Sequence, residues 1–297
     1  MPRAISLVVA TLNRAEALAE MLRSLSACSH PDGVIVELVL VDNGSTDHTA
    51  KVVGDFKPAS WLSIDYQVET KRGVSAARNA GLRRARGDVI AILDDDVIVP
   101  EDYLERLVSE FADVSVPQLV GGRVELWDPT DQPFTIKTSR EPAVLASDQH
   151  PGGFIHGCNM ALSRRALDLI GYFDEDLGAG TLACAGEDTD FCHRAVSAGV
   201  TVRYAPELMV HHHHGRKSEV EILRLFRGYH IGNGALYTKA LLSGDWRMLR
   251  FFWWSVVSSW GTKIDRRDFR RFLGRHRRAR YYLLGMVRYV RQRFLGA

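Results

Sequence analysis

Val89-Ile90-Ala91-Ile92-Leu93-Asp94-Asp95-Asp96 decides the fold: five apolar residues run directly into three carboxylates. A short continuous apolar run bounded by polar residues has the pattern of a strand buried on both faces, as in a parallel sheet covered by helices. Three adjacent carboxylates repel one another unless a cation or hydrogen bonds offset the repulsion. One aspartate would suffice to cap the helix that opens near Pro100, so the triplet points to a metal site. Hard oxygen ligands suit Mn²⁺ or Mg²⁺, cations that keep positions open for substrate phosphates.

Upstream, Ile5 to Ala10 and Glu37 to Val41 are further apolar runs, each followed by polar turn residues and helix-compatible sequence from near Ala15 and near Thr46. Ile64 to Val68 alternates as a third strand, and Val74 to Ala85 is an Ala- and Arg-rich helix leading into the 89–93 run. This alternation predicts an α/β fold, a mostly parallel, Rossmann-like sheet flanked by crossover helices. Ligands of such sheets bind outside the carboxyl ends of the strands, where this chain carries Thr11, Asn13 and Arg14, then Asp42 to Asp47, then Asp94 to Asp96. Asp42, the first residue off its strand, could accept the imide N–H of uracil or thymine. For Ser45, Thr46 and Asp47 an ordinary turn and helix cap serve equally well. Neither GxGxxG nor GxxxxGK[ST] is present. Diphosphate binding must then rest on metal and on Arg14, Arg72 or Arg78.

Downstream, a helix is expected from Pro100 to about Phe111, a strand over Leu119 to Leu126, and a polar, Pro-bearing loop from Trp127 to Gly153. Cys158 to Leu162 reads as a strand, Ser163 as the cap of a helix to about Ile170, Glu187 to Ala198 as a helix, and Thr201 to His213 as a final strand. Glu187, Asp188 and Asp190 suit the macrodipole of a first helical turn, yet a carboxylate held near a cation could also serve as general base for an acceptor hydroxyl. In the run His211 to His214, strand alternation pairs His211 with His213 and His212 with His214, so the four rings cannot share one ion. His211 is taken as the metal ligand.

With 297 residues, 46% apolar and 25% charged, the chain can bury a sizeable core. Its net charge of +2 is the sum of two opposed parts. Residues 1–215 hold 19 Lys and Arg against 31 Asp and Glu, a net of −12, while residues 216–297 hold 19 against 5, a net of +14. The division predicts one domain over 1–215. A basic, aromatic-rich helical extension follows over 216–297. Such an extension suits an anionic membrane surface, or packs on the domain with a solvated basic face. Nucleic acid is not an expected partner, because no recognition motif accompanies the charge. The longest apolar stretch, Phe251 to Trp260, is far below the roughly 20 residues of a membrane-spanning helix, so the expectation is a cytoplasmic protein, soluble or peripheral on the inner face of the membrane. Cys28, Cys158, Cys184 and Cys192 are too scattered for a disulfide framework and read as free thiols.

The runs V-V-A-T-L-N-R, V-L-V-D-N-G-S-T-D, A-A-R-N-A-G-L, L-D-D-D, G-E-D-T-D-F and P-E-L-M-V-H, in that order over about residues 4–215, resemble family 2 of the glycosyltransferases. The resemblance implies the GT-A fold, with residues 1–215 as the catalytic domain, its nucleotide-binding half about 1–126 and its acceptor half about 127–215. It implies an inverting transfer of sugar from a nucleotide diphosphate, of UDP or dTDP type, to a saccharide or lipid-linked acceptor in cell-surface polysaccharide or glycolipid synthesis. It implies nucleoside contacts from Thr11, Arg14 and Asp42, a DxD pair in Asp94 and Asp96 with Asp96 nearest the metal, and Asp95 beside the nucleotide. It further implies Asp188 as catalytic base, an acceptor or sugar pocket around Gly157, Asn159 and Glu187, and a third metal ligand among the histidines after the last strand. Two rivals are weighed beside it. A sugar-nucleotide-forming nucleotidyltransferase normally carries an N-terminal glycine-rich loop that is missing here, and a non-catalytic binding module would not need both acidic clusters.

Overall fold

The 89–93 run becomes strand β4 of a computed structural model that describes residues 1–260 and 269–295, with side chains given up to residue 253 and again from 279. In chain order the elements are β1 (Ala4–Thr11), α1 (Ala15–Ser26), β2 (Ile35–Asp42), α2 (Thr49–Asp55), β3 (Leu62–Val68), α3 (Val74–Arg84), β4 (Val89–Asp94), β5 (Val97–Ile98), α4 (Tyr103–Glu110), β6 (Gln118–Leu126), β7 (Ala143–Val144), β8 (Asn159–Ser163), α5 (Arg164–Ile170), α6 (Glu187–Ser197), β9 (Thr201–His212), α7 (Glu219–Ser243), α8 (Trp246–Trp260) and α9 (Phe269–Leu295).

Alternation along β4 sends Val89, Ala91 and Leu93 into one core and Ile90 and Ile92 into another, all fully buried. The first core is covered by α1, whose Leu18, Met21, Leu22 and Leu25 fall on one helical face, and by Tyr103, Leu104 and Leu107 of α4. The second is covered by α3, α5 and α6, with Phe191 stacked on Phe173. The sheet runs β3-β2-β1-β4-β8-β6-β9-β5, with β7 pairing to β9. Its first four strands are parallel, and β8 is antiparallel to both β4 and β6. Parallel pairing in register sets Thr11 beside Asp42 and Ala10 beside Asp94, so the polar residues that follow β1, β2 and β4 meet at one sheet edge. The α/β fold expected, a sheet flanked by helices, is present, its first four strands parallel and the rest of the sheet mixed.

Two features could not be read from periodicity. β5 and β7 have two residues each, too few to show a pattern, and α2 starts at Thr49 because Asp47 accepts from the Thr49 amide at 3.0 Å and hydroxyl at 2.5 Å.

The extension after residue 215 packs on the rest. A capping box of Ser218 and Glu221 starts α7. Gly232 of α7 backs onto Ala185, where a Cβ would lie 2.7 Å from backbone, and α7 packs on α9 where Gly285 meets Ile231. Lys239 reaches Asp190 at 2.7 Å and Asp174 at 2.8 Å, and Asp245 meets His193 at 2.6 Å. Of the Arg-dense stretch Arg266 to Arg293 and the apolar stretch Phe251 to Trp260, residues 261–268 and the side chains of 254–278 lie outside the described residues. Among the described residues no helix is long and apolar enough to cross a membrane. All four cysteines are free, and only Cys184 is not buried.

Candidate active site

The strand ends open on a cavity of about 840 Å³. Thr11, Arg14, Arg72 and Arg78 line it, as do Asp94, Asp95 and Asp96. Across from them stand Gly157, Glu187 and Asp188. The two acidic groups, far apart in the chain, thus share one space.

Each member of the Asp triplet has its own partners. Thr11 Oγ1 donates to Asp95 at 2.7 Å, and Arg14 pairs with Asp95 at 3.3 Å and with Asp96. Burial pushes the Asp95 carboxyl up to about 7 against the pull of Arg14. Burial acts on Asp96 too, but His212 and Arg14 hold it well below the usual carboxylate range. Asp94 accepts from Arg78 Nη2 at 2.8 Å, and the same guanidinium reaches Glu187 at 3.2 Å through Nη1. Arg78 is buried, and burial alone would weaken its charge; Asp94 and Glu187 outweigh that and keep it protonated. Gly157 leaves the room this requires, since a Cβ there would lie 3.0 Å from Arg78 Nη2.

The histidine beside the triplet is His212, which corrects the choice of His211. Asp94, Asp96 and His212 each offer a ligand atom within 4.8 Å of the others, with His212 Nε2 3.3 Å from Asp96 Oδ1. His211 points to the other side of β9 and packs edge-on against Trp127, ring centroids 5.6 Å apart. His213 turns to Glu20 at 2.8 Å, and His214 lies fully buried 3.4 Å from Asp131. His212 Nδ1 lies 3.2 Å from Thr135 O, an arrangement that directs Nε2 toward the carboxylates. The donor set fits a divalent cation: two carboxylates and an imidazole, with Asp96 Oδ1 buried and lacking a well-directed hydrogen bond.

Of the acidic residues that open α6, two are spent. Glu187 pairs with Arg78, and Asp190 is buried between Arg194 at 2.8 Å and Lys239. Burial, with Asp188 beside it, raises the Glu187 carboxyl. Among the described residues Asp188 accepts only from the neighbouring Thr189, at 2.7 Å to its amide, and it faces the cavity.

Three other expected residues do other work. Asn159 is fully buried; it donates to Leu208 O at 2.8 Å and Arg123 O at 3.1 Å and accepts from Tyr103, pinning the shift in β6–β9 register at Gly122/Arg123 instead of lining a sugar pocket. Asn13 adopts φ 53°, and its side chain accepts from Thr46 N at 2.7 Å, so it ties down the 45–47 turn and does not line the cavity. Asp42 stands one strand beyond Thr11, off the cavity wall, accepting from Ser45 N and Tyr66 Oη at 2.7 Å each. Conversely, His156, Arg216, Tyr229 and Asn233 line the cavity without having been anticipated. His156 adjoins the Gly157 motif, which is a signal of a kind. The other three come from the extension, and nothing in its basic and aromatic pattern marks which residues turn inward.

Comparisons bear on this geometry. A family profile described as "Glycosyl transferase family 2" matches residues 6–171, and one described as "Glycosyl transferase family group 2" matches residues 89–291. The succinoglycan biosynthesis protein ExoM of Rhizobium meliloti is 32% identical over 211 residues, covering 70% of this chain and 66% of that protein. Glycosyltransferase AglE of Haloferax volcanii is 26% identical over 210 residues, covering 69% and 65%. The chain thus matches just under two thirds of the length of these relatives. Among solved structures, the mannosyltransferase PcManGT from Pyrobaculum calidifontis, in complex with GDP-Man and Mn2+, superposes with a TM-score of 0.58 at 20% identity, covering 97% of this chain and 87% of that one. S. aureus TarS gives 0.51 at 21% identity over 68% of this chain and 36% of its own. At these identities the likeness concerns the fold, which is the GT-A type expected.

Proposed function

We propose, for a chain that belongs to glycosyl transferase family 2, that it transfers a sugar from a nucleotide diphosphate to an acceptor hydroxyl with inversion, residues 1–215 forming the catalytic domain. The observation that carries this reading is the convergence of Asp94, Asp96 and His212 with Asp188 on one cavity. Asp94, Asp96 and His212 would hold a divalent cation, Mn²⁺ or Mg²⁺, which when bound supplies Lewis-acid stabilisation to a leaving diphosphate. Asp188 takes the acceptor proton as that oxygen attacks the anomeric carbon, and the bond to the diphosphate oxygen breaks on the opposite face. Arg78 fixes the spacing between the donor and acceptor sides by gripping a carboxylate from each. Thr11, Arg14, Arg72 and Asp95 stand where a nucleotide would lie. A donor of UDP or dTDP type is part of the same proposal, although Asp42 lies off the cavity wall and is engaged by Ser45 and Tyr66. The relatives' names support polysaccharide or glycan synthesis as the setting, and attachment at the inner membrane face is part of the same proposal.

A panel of nucleotide sugars with Mn²⁺ tests the reading. Release of the nucleoside diphosphate from one donor, with the opposite anomer appearing by NMR, is expected; release of pyrophosphate from a nucleoside triphosphate and a sugar phosphate would replace it with the nucleotidyltransferase alternative.

A further inference from the structure

A second cavity of about 530 Å³ shares a wall with the first: Cys184, Arg216, Leu225 and Tyr229 line both. Its remaining wall carries Arg224 and Arg227 of α7 and Arg288 of α9, over the aliphatic Ile231. Four guanidinium groups therefore surround one space. Among the described residues none of the four is paired with a carboxylate, and Arg216 Nη1 is buried without a hydrogen-bond partner. Glu221 also lines the space, but its Oε2 is taken by Ser218, at 3.0 Å to the amide and 2.7 Å to the hydroxyl. Arg227 stacks on Tyr281, and Arg288 donates to Leu182 O at 3.3 Å, so both heads are held in position.

Clustered like charges are costly to fold together and are tolerated where an anion offsets them. The surroundings say which anion. Val220, Leu223 and Phe226 form an exposed apolar stripe on α7, and Leu283, Val287 and Phe294 form another on α9. A free sugar nucleotide has no use for these, whereas an anionic group attached to a hydrocarbon chain has.

We infer that this cavity binds the phosphate or diphosphate of a lipid-linked saccharide acceptor. The shared wall would let the saccharide reach Asp188, and the exposed apolar side chains carried by the same two helices would receive the hydrocarbon. The inference rests on the proposed transfer reaction and names the acceptor class for it. The anion is the acceptor's own phosphate and not the headgroups of the surrounding membrane.

Binding of farnesyl diphosphate to the full-length protein, by calorimetry in EDTA so that no cation recruits the diphosphate to Asp94 and Asp96, is the test. Farnesyl diphosphate is expected to bind, with farnesol and inorganic pyrophosphate each weaker by roughly tenfold or more. Arg224 and Arg227 are exposed, so Arg224→Glu and Arg227→Glu leave folding intact; each is expected to cost about tenfold in affinity, while Arg280→Glu and Arg291→Glu, on exposed positions of α9 outside the cavity, change it less than about twofold. Equal loss in the two pairs, or pyrophosphate binding as tightly as farnesyl diphosphate, overturns the proposal. So does recruitment to phosphatidylglycerol vesicles without farnesyl diphosphate binding, which assigns the arginines to the membrane surface. Metal-dependent donor hydrolysis on the same preparation separates the two readings: binding without hydrolysis faults the transfer reaction, and hydrolysis without binding faults the acceptor site.

Discussion

Arg78 Nη2 lies 2.8 Å from Asp94 Oδ1 in a part-buried contact that carries the acidic triplet into register with the start of α6, because the same guanidinium also grips Glu187. Replacing Arg78 by Met leaves two carboxylates facing each other without a countercharge, a loss on the order of 3 kcal/mol. Thermal unfolding should reveal it as a clear fall in Tm. Lysine restores the charge but cannot span both partners with a planar fork, so Arg78→Lys should fold and still lose transfer by roughly tenfold. Parental stability in Arg78→Met would remove Arg78 from this role.

Gly157 tests the same grip from outside. A Cβ at this position falls 3.0 Å from Nη2 and 3.1 Å from Nη1 of Arg78, so the guanidinium must give by a few tenths of an ångström. Gly157→Ala is expected to lower kcat by about tenfold with little change in stability, since misplacement of this size is felt more by alignment than by packing. An unchanged kcat would mean that Arg78 has slack.

Metal binding distinguishes two adjacent histidines. His212→Ala should abolish the rise in Tm produced by Mn²⁺, while His211→Ala, which loses an edge contact with Trp127, should keep it at a cost of about 1 kcal/mol to the metal-free protein. The opposite pattern would return the ligand to His211.

That choice shows where reading the sequence ran out. Apolar runs disclosed β1, β2 and β4 because both faces of these strands are buried, and the alternation of the histidines held: His212 and His214 share a side, ring centroids 5.1 Å apart. The phase did not follow, because it is set by the β6–β9 pairing beyond the register shift at Gly122/Arg123, which brings His212 opposite Leu126 and Val97. Asn159 misled for a related reason. An asparagine beside a glycine at a strand start looks like a ligand contact, yet its amide is consumed by carbonyls of β6 and β9 that only the assembled sheet supplies. Arg78 was legible as a basic residue near the site, but not as the partner of two carboxylates on other elements.

Cation affinity should rise with pH. Burial disfavours the His212 imidazolium, but the Asp96 carboxylate 3.3 Å away outweighs it and raises the His212 pKa. Stability from the protonated pair is therefore fully present below the unfolded imidazole value of about 6.5 and is lost as pH rises through the higher folded value. A cation competes with that proton, so the Mn²⁺-induced rise in Tm should be larger at pH 8 than at pH 6. A larger rise at pH 6 would exclude His212 as a ligand.

The three carboxylates at the start of α6 should separate cleanly on mutation, because each has different partners. Asp190 is buried between Arg194 and Lys239, so Asp190→Asn weakens two ion pairs at once and should cost on the order of 3 kcal/mol while sparing chemistry in the protein that remains folded. Glu187→Gln still accepts from Arg78 but gives up half of the countercharge; a moderate fall in both stability and kcat is expected. Among the described residues Asp188 accepts only from Thr189 beside it, so Asp188→Asn should leave Tm and donor affinity nearly unchanged. Transfer, in contrast, should fall by about a thousandfold or more, the scale of losing a general base. Product formation and donor titration on the same samples decide the matter: turnover retained in Asp188→Asn but lost in Glu187→Gln would move the proton acceptor one residue back, onto a side chain that Arg78 already holds.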